Sequence, residues 1–125
     1  LAPGGAAHLE IVWNASRRLR LVEMPPVNRH RPSVDVAFFS VARQLGSGAV
    51  GVLLTGMGRD GADGLRAMRE AGARTIAQDK ETSTVYGMPR AALENGAVDR
   101  GTPLTQIAQA IFNPDTQTSE AVAWR

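Results

Sequence analysis

The sequence predicts an α/β fold built around a parallel sheet. Two observations indicate this class. Residues 49–54 form a near-continuous apolar run, which is typical of a strand buried on both faces of a sheet. Along the chain, segments with strand-like and helix-like patterns alternate, as they do in βαβ units. We therefore expect helices packed against parallel strands.

The first third of the chain predicts a hairpin, a loop and a helix. Residues 8–12 and 19–22 have the pattern of two short strands around a polar turn. The three prolines within residues 25–32 favour an extended loop, because proline fixes its own φ and restricts the residue before it. Ser33 is a good N-cap for a helix that runs to Leu45, where a glycine follows.

The remaining elements alternate between helix and strand. Asp60 is predicted to cap a helix that ends at Gly72, and residues 74–78 are predicted to form the next strand. The further predicted elements are a short helix from Pro89 to Asn95, a brief strand at residues 97–99, a last helix from Thr102 to Asn113, and a frayed polar tail at residues 113–125. Helical spacing places a set of apolar residues in the core, namely Leu65, Met68 and Ala71 in one helix and Leu104, Ile107, Ala108 and Ile111 in another.

The composition excludes several classes of function. The chain has 125 residues, enough for one domain or part of one. It has no cysteine, and this excludes a disulfide scaffold, a thiolate nucleophile and cysteine zinc sites. No apolar run approaches the length of a membrane span, so we expect no direct membrane insertion. The net charge is only +2, and no basic stripe with interleaved aromatics indicates nucleic-acid binding. The first residues include neither an initiator methionine nor a signal peptide, which suggests a fragment.

The glycine-rich turn after residues 49–54 carries most of the functional information. Gly56-Met57-Gly58-Arg59-Asp60-Gly61 matches the G-x-G-x-x-G pattern between a strand and a helix, and Asp79 lies 23 residues beyond Gly56, where a ribose-binding acid would lie. A dinucleotide site is therefore one interpretation. Against it, the Asp60 carboxylate would repel a pyrophosphate, and Met57 and Arg59 are bulky for a turn that approaches a ligand.

The second interpretation makes Asp60 itself the functional group. A carboxylate at a helix N-terminus stays ionised, because the backbone N–H groups and the helix dipole favour negative charge. Such a group can orient a histidine and stabilise the imidazolium that forms when a serine is deprotonated. The simplest alternative is that Asp60 is only an N-cap.

Several blocks of the sequence resemble a known family. They are Pro26-Val27-Asn28-Arg29-His30-Arg31-Pro32-Ser33-Val34-Asp35, Leu54-Thr55-Gly56-Met57-Gly58-Arg59-Asp60-Gly61, Ala77-Gln78-Asp79, Thr82-Ser83, Val85-Tyr86-Gly87-Met88-Pro89-Arg90 and Gly96-Ala97-Val98, with Ala2-Pro3-Gly4-Gly5 and His8 before them. In this order they resemble the catalytic domain of the chemotaxis protein-glutamate methylesterases (CheB), over residues 2 to about 112. Together they are far more specific than any one block.

The resemblance implies a doubly wound, mainly parallel sheet with helices on both faces, Rossmann-like and incomplete at its N-terminal side. It implies cytoplasmic hydrolysis of glutamate methyl esters on the cytoplasmic region of chemoreceptors by a Ser-His-Asp mechanism, in some members with glutamine deamidation. By resemblance, Asp60 is the triad aspartate and the Met57 backbone N–H stabilises the oxyanion. The family needs no cofactor and no metal.

The other two triad members are not found in this sequence. None of the six serines lies in a G-x-S-x-G turn, and the most similar, Ser47 between two glycines, lies at the wrong end of the predicted sheet. We therefore expect residues 1–112 to be the later part of a catalytic domain, inactive alone. A third hypothesis is a non-catalytic module that binds a partner through the basic loop Arg29–Arg31.

Overall fold

The computed structural model describes residues 4–113, which fold into two small sheets and four α-helices. The elements in chain order are β1 (His8–Val12), β2 (Arg18–Val22), α1 (Val34–Leu45), a short 3₁₀ turn (Gly46–Gly48), β3 (Val50–Leu53), α2 (Ala62–Glu70), β4 (Arg74–Ala77), α3 (Met88–Glu94) and α4 (Leu104–Phe112). None of the helices in this range is long and apolar enough to cross a membrane. The predicted tail at residues 113–125 lies almost wholly outside the described residues.

The hairpin at the start of the chain forms as predicted, to within one residue. β1 and β2 are antiparallel, with His8 opposite Val22 and Val12 opposite Arg18. β1 packs on α1, where the Ile11 N–H donates to the Ser40 hydroxyl at 2.9 Å. Thus the hairpin rests on α1 and is separate from the parallel sheet.

The parallel sheet consists of β3 and β4, joined by α2. The register pairs Val50 with Arg74 and Leu53 with Ala77. A parallel bridge between Gln78 and Thr102 extends this pairing beyond the end of β4. This arrangement confirms the predicted α/β class with parallel strands.

The predicted strand at residues 97–99 is wrong. The Ala97 N–H donates to the Ala92 carbonyl at 2.9 Å and to the Asn95 side chain at 3.0 Å. These bonds close the end of α3, so Ala97 is held in a turn and cannot donate to a sheet. The strand-like pairing with residue 78 is made instead at Thr102.

Helices cover both faces of the parallel sheet. Leu53 and Ala77, which pair in the register, belong to a buried cluster with residues of α2 and α3. Val52 and Ile76, the preceding pair, point to the other face and pack with Ile107 and its neighbours in α4. This alternation follows from the two-residue period of a strand, and it gives three layers.

Two predicted core positions in α4 and one after α2 are wrong. Leu104 is 53% exposed, because it begins α4 and lies before the stripe formed by Ile107, Ala110 and Ile111. Ala108 is exposed because it lies between those inward positions. Ala71 is exposed because α2 ends at residue 70, just before Gly72, whose φ is +96°.

Candidate active site

The Asp60 carboxylate lies at the N-terminus of α1. It was predicted to cap α2, but the N-cap of α2 is Gly61, with a φ of +94°, and Asp60 makes no hydrogen bond to that helix among the described residues. Instead, Asp60 Oδ2 accepts the Val34 N–H at 2.7 Å, and Oδ1 accepts the Asp35 N–H at 3.2 Å. The prediction of a carboxylate at a helix end was right in kind but named the wrong helix. The reason is that Gly61 lies between Asp60 and Ala62, the first residue of α2, so Asp60 is outside the N-cap position.

Two side chains also donate hydrogen bonds to Asp60. The Ser33 hydroxyl donates to Oδ1 at 2.7 Å, and the Asn28 amide donates to Oδ1 at 2.9 Å. A carboxylate has about four lone-pair positions, two on each oxygen. Among the described residues, Oδ1 accepts from three donors, the Ser33 hydroxyl, the Asn28 amide and the Asp35 N–H, whereas Oδ2 accepts only from the Val34 N–H. Asp60 is only 4% exposed, and its open acceptor position is on Oδ2.

Asp60 remains ionised despite its burial. Burial raises the pKa of this carboxyl, but the hydrogen bonds from Asn28, Ser33, Val34 and Asp35 outweigh that effect. The pKa of Asp60 therefore lies below its ordinary value. A buried carboxylate that is charged at neutral pH can stabilise a neighbouring imidazolium.

A second buried carboxylate, Asp35, lies beside Asp60. It is 2% exposed, and it accepts the Gly64 N–H at 2.7 Å and the Asn28 amide at 2.5 Å. Burial raises the pKa of Asp35, and the charge of Asp60 adds to this rise, although both hydrogen bonds oppose it. The neighbouring carboxyls are thus shifted in opposite directions. Sequence reasoning missed the roles of Asn28 and Asp35, whose only signal was their place in a block that carries the family resemblance.

Ser33, His8 and Asp60 lie together but do not form a triad. The Ser33 hydroxyl donates directly to Asp60, whereas a triad histidine would lie between them. His8 Nδ1 accepts the Ser33 N–H at 3.0 Å, and His8 Nε2 lies 2.9 Å from the Pro25 carbonyl. All three side chains are almost fully buried, so no substrate reaches the Ser33 hydroxyl. His8 serves the packing of the hairpin and loop.

The turn that contains Met57 is held from one side by residues 85–88. The Gly56 N–H donates to the Val85 carbonyl at 3.0 Å, and the Gly56 carbonyl accepts the Met88 N–H at 2.8 Å. Within residues 4–113 nothing accepts a hydrogen bond from the Met57 N–H, and the Met57 side chain is 79% exposed. A free backbone donor in a fixed turn fits the predicted oxyanion role.

The geometry does not fit a dinucleotide site. A Cβ on Gly56 would lie 2.3 Å from the Met88 sulfur, so the space beside this first glycine of the motif is filled by a side chain. Asp79, the expected ribose-binding acid, accepts the Thr82 N–H at 3.0 Å and holds a turn. Within residues 4–113, no group of three His, Cys, Asp or Glu side chains is placed to hold a metal ion.

Ser47 lies away from this corner, whereas the basic loop Arg29–Arg31 borders it, because it joins Asn28 to the segment with Ser33, and both of these donate to Asp60. Arg31 is anchored, with its Nε donating to the Gly5 carbonyl at 2.7 Å, while Arg29 and His30 are exposed. Ser47 lies in the turn before β3 begins, at the opposite end of that strand from Asp60. It is therefore remote from the carboxylate, as expected.

Comparison with known proteins identifies the family. A family model described as CheB methylesterase matches residues 1–111. The chain belongs to the CheB methylesterase family. It is 58% identical over 113 residues to a Caulobacter vibrioides protein named protein-glutamate methylesterase/protein-glutamine glutaminase 1, covering 90% of this chain and 33% of the relative. An Agrobacterium fabrum protein named protein-glutamate methylesterase/protein-glutamine glutaminase is 55% identical over 120 residues, covering 96% of this chain and 34% of the relative.

A CheB structure shares the fold. The Thermotoga maritima CheB methylesterase catalytic domain superposes with a TM-score of 0.80 at 33% identity, over 86% of this chain and 57% of that one. The chain thus spans about a third of the length of its curated relatives and just over half of the solved domain. Membership in this family favours the esterase interpretation over the dinucleotide site.

Proposed function

We propose that this chain supplies the acidic residue and the oxyanion donor of a protein-glutamate methylesterase. The reaction is hydrolysis of glutamate methyl esters on the cytoplasmic region of chemoreceptors, with glutamine deamidation as a second activity of the same site. Its relatives carry both activities in their names. The proposal places the enzyme in the cytoplasm, where that region of the receptor lies.

One observation carries this proposal. Asp60 is a buried, ionised carboxylate that has one acceptor position left open, on Oδ2. The hydrogen bonds that keep Asp60 charged thus leave Oδ2 able to accept one more donor. A histidine N–H from a segment outside the described residues would complete the set of donors.

The proposed mechanism assigns one role to each group. Asp60 Oδ2 accepts the N–H of the histidine, and this bond fixes the tautomer that can deprotonate a serine. The serine oxygen attacks the ester carbonyl, and the Met57 N–H donates to the oxyanion. Methanol then leaves with the proton from the histidine. Water hydrolyses the acyl-enzyme to leave glutamate on the receptor, and ammonia replaces methanol when the substrate is glutamine.

The same proposal extends to the architecture. Two parallel strands with helices on both faces are the observed part of a larger doubly wound, Rossmann-like sheet. Residues 1–112 then form the later part of the catalytic domain, and the serine and histidine lie on strands that continue the sheet. The carboxyl ends of the strands are where such folds gather their catalytic groups.

A chimera tests the proposal. Residues 1–113 would replace the matching segment of the Caulobacter vibrioides relative, and methanol release from methylated receptor membranes would be measured. We expect release at a rate within about tenfold of the parent, because the packing around Asp60 is carried by this segment. A folded chimera that releases no methanol would overturn the proposal. Binding of a nicotinamide dinucleotide would support the alternative function instead.

A further inference from the structure

Asn28 shares one amide nitrogen between two buried carboxylates. Its Nδ2 donates to Asp60 Oδ1 at 2.9 Å and to Asp35 Oδ2 at 2.5 Å. Both neighbouring atoms are carboxylate oxygens, so only the nitrogen of the amide fits between them. The orientation of this amide is thus determined by its surroundings.

The backbone turn at Asn28 holds this amide in place. Asn28 has a φ of +53°, in the left-handed region that asparagine tolerates better than most residues. Val27 and His30 close the turn on either side with mutual backbone hydrogen bonds of 3.0 and 2.9 Å. The amide therefore extends from a rigid turn.

Asp35 is itself anchored. Its Oδ1 accepts the Gly64 N–H at 2.7 Å, in the first turn of α2, while its own backbone N–H donates to Asp60. Gly64 permits this approach, since a Cβ there would lie 3.1 Å from the Asp35 backbone. Asp35 thus links the starts of α1 and α2 and holds the Asn28 nitrogen between them.

We propose that Asn28, anchored by Asp35, is a positioning residue for the esterase reaction. It acts through Asp60: with three donors on Oδ1, the carboxylate cannot rotate, and Oδ2 presents its open acceptor position to the histidine. This inference rests on the proposed function. It predicts that losing the Asn28 donor lowers kcat more than it raises KM, because the histidine and not the substrate is displaced.

The test exchanges donor and acceptor between positions 28 and 35 in the chimera described above. Asn28→Asp keeps the shape and the backbone preference but removes the donor to Asp60. The double variant Asn28→Asp/Asp35→Asn restores a donor–acceptor pair between the two positions, yet still gives Asp60 no donor from position 28. Asn14→Asp, in the exposed hairpin turn, is the matched control.

We expect Asn28→Asp to lower both Tm and kcat, the latter by about tenfold to a hundredfold, as for small displacements of catalytic groups. The double variant should recover part of the Tm, since a carboxylate at position 28 still faces Asp60, whereas its kcat stays low and its KM stays within about twofold of the parent chimera. If the double variant regains kcat together with Tm, Asn28 has only a structural role and the inference is wrong.

Two further comparisons keep the inference separate from the proposed function. If the parent chimera is inactive, the proposed function fails first. If the parent is active and Asp60→Asn is inactive, but Asn28→Asp keeps full kcat, only the positioning role fails. Where Asn28→Asp does not fold, Asn28→Gly removes the amide at a compatible φ. Its kcat should fall with KM unchanged, and unchanged kcat would overturn the inference.

Discussion

At the residue scale, the chemistry of this site depends on how a buried carboxylate keeps its charge. Asp60 is 4% exposed, yet its pKa is lowered because four donors face it. Asp35, beside it, has a raised pKa because burial and the charge of Asp60 outweigh its own donors. Neighbouring groups whose pKa values are shifted apart are a common feature of active sites.

The opposite shifts predict opposite effects of pH on stability. The charge of Asp60 adds stability that is complete above the pKa of an unfolded aspartate, about 3.9, and is lost as pH falls through the lower folded value. The stability advantage of the chain over Asp60→Asn should therefore shrink as pH falls below about 4. The Asp35 carboxyl holds its proton more tightly in the folded chain than in the unfolded chain. The stability advantage of the chain over Asp35→Asn should therefore shrink as pH rises above about 4.

Urea unfolding of the chain and both variants at several pH values measures these differences. Each variant serves as the control for the other, since both replace a buried aspartate by asparagine. Parallel pH curves for the two variants would contradict the assigned shifts.

The sequence could indicate Asp60 but not its partners. Asp60 follows a buried strand in a glycine-rich turn, a local pattern that the residues themselves display. Asn28 and the Asp35 N–H reach it from 32 and 25 residues away. No spacing rule connects these positions, because their meeting depends on how α1 packs against α2.

At the scale of elements, the Met57 turn is shaped by its close contact with the start of α3. A Cβ on Gly87 would lie 2.7 Å from the Gly56 carbonyl oxygen and 2.9 Å from the Gly58 nitrogen. The Met57 N–H lies between these two contacts in the chain. Any side chain at position 87 must therefore displace the backbone on either side of Met57.

We expect Gly87→Ala to lower stability by about 1 to 3 kcal/mol and to lower kcat in the chimera, because the turn must move. Gly96→Ala is the control: it has a φ of +82° but nothing within 4 Å of its Cβ. It should cost about 1 to 2 kcal/mol of backbone strain and leave kcat unchanged. Equal kcat values for the two variants, measured by methanol release, would argue against a fixed oxyanion turn.

Elements were predictable where local signals decide them. Ser33, Gly72 and Pro89 marked ends of helices that the structure confirms at nearly those positions. The sequence predicted the wrong helix as the one that Asp60 caps, because the direction in which a side chain leaves a turn depends on tertiary packing. The residues of α4 that point inward were predicted wrongly for the same reason. Which residues point inward depends on how α4 packs against the sheet.

At the scale of the whole molecule, the chain offers no histidine partner for the proposed triad aspartate, Asp60. Its only histidines are His8, which is buried against the loop, and the exposed His30. Neither side chain hydrogen-bonds to Asp60. The parallel class of the sheet was predictable from one apolar run and the alternation around it, whereas its extent was not.

The isolated chain should therefore not hydrolyse methyl esters. Because triad residues act as a unit, Asp60 and the Met57 N–H in their proposed roles should give little acceleration by themselves. Methanol release from methylated receptor membranes should match the buffer blank for the chain and exceed it for the chimera. Release by the isolated chain would show that the assignment of roles is wrong.

The proposed role of Asp60 as the triad aspartate is tested most directly by kcat of the Asp60→Asn chimera. Asp63→Asn is the matched control, since Asp63 is exposed and pairs with Arg59 at 3.1 Å on the surface. We predict that Asp60→Asn lowers kcat by about four orders of magnitude, as loss of the charge favours the wrong histidine tautomer. Asp63→Asn should keep the parent rate. A folded Asp60→Asn chimera with kcat within about tenfold of the parent would show that Asp60 is not the triad aspartate.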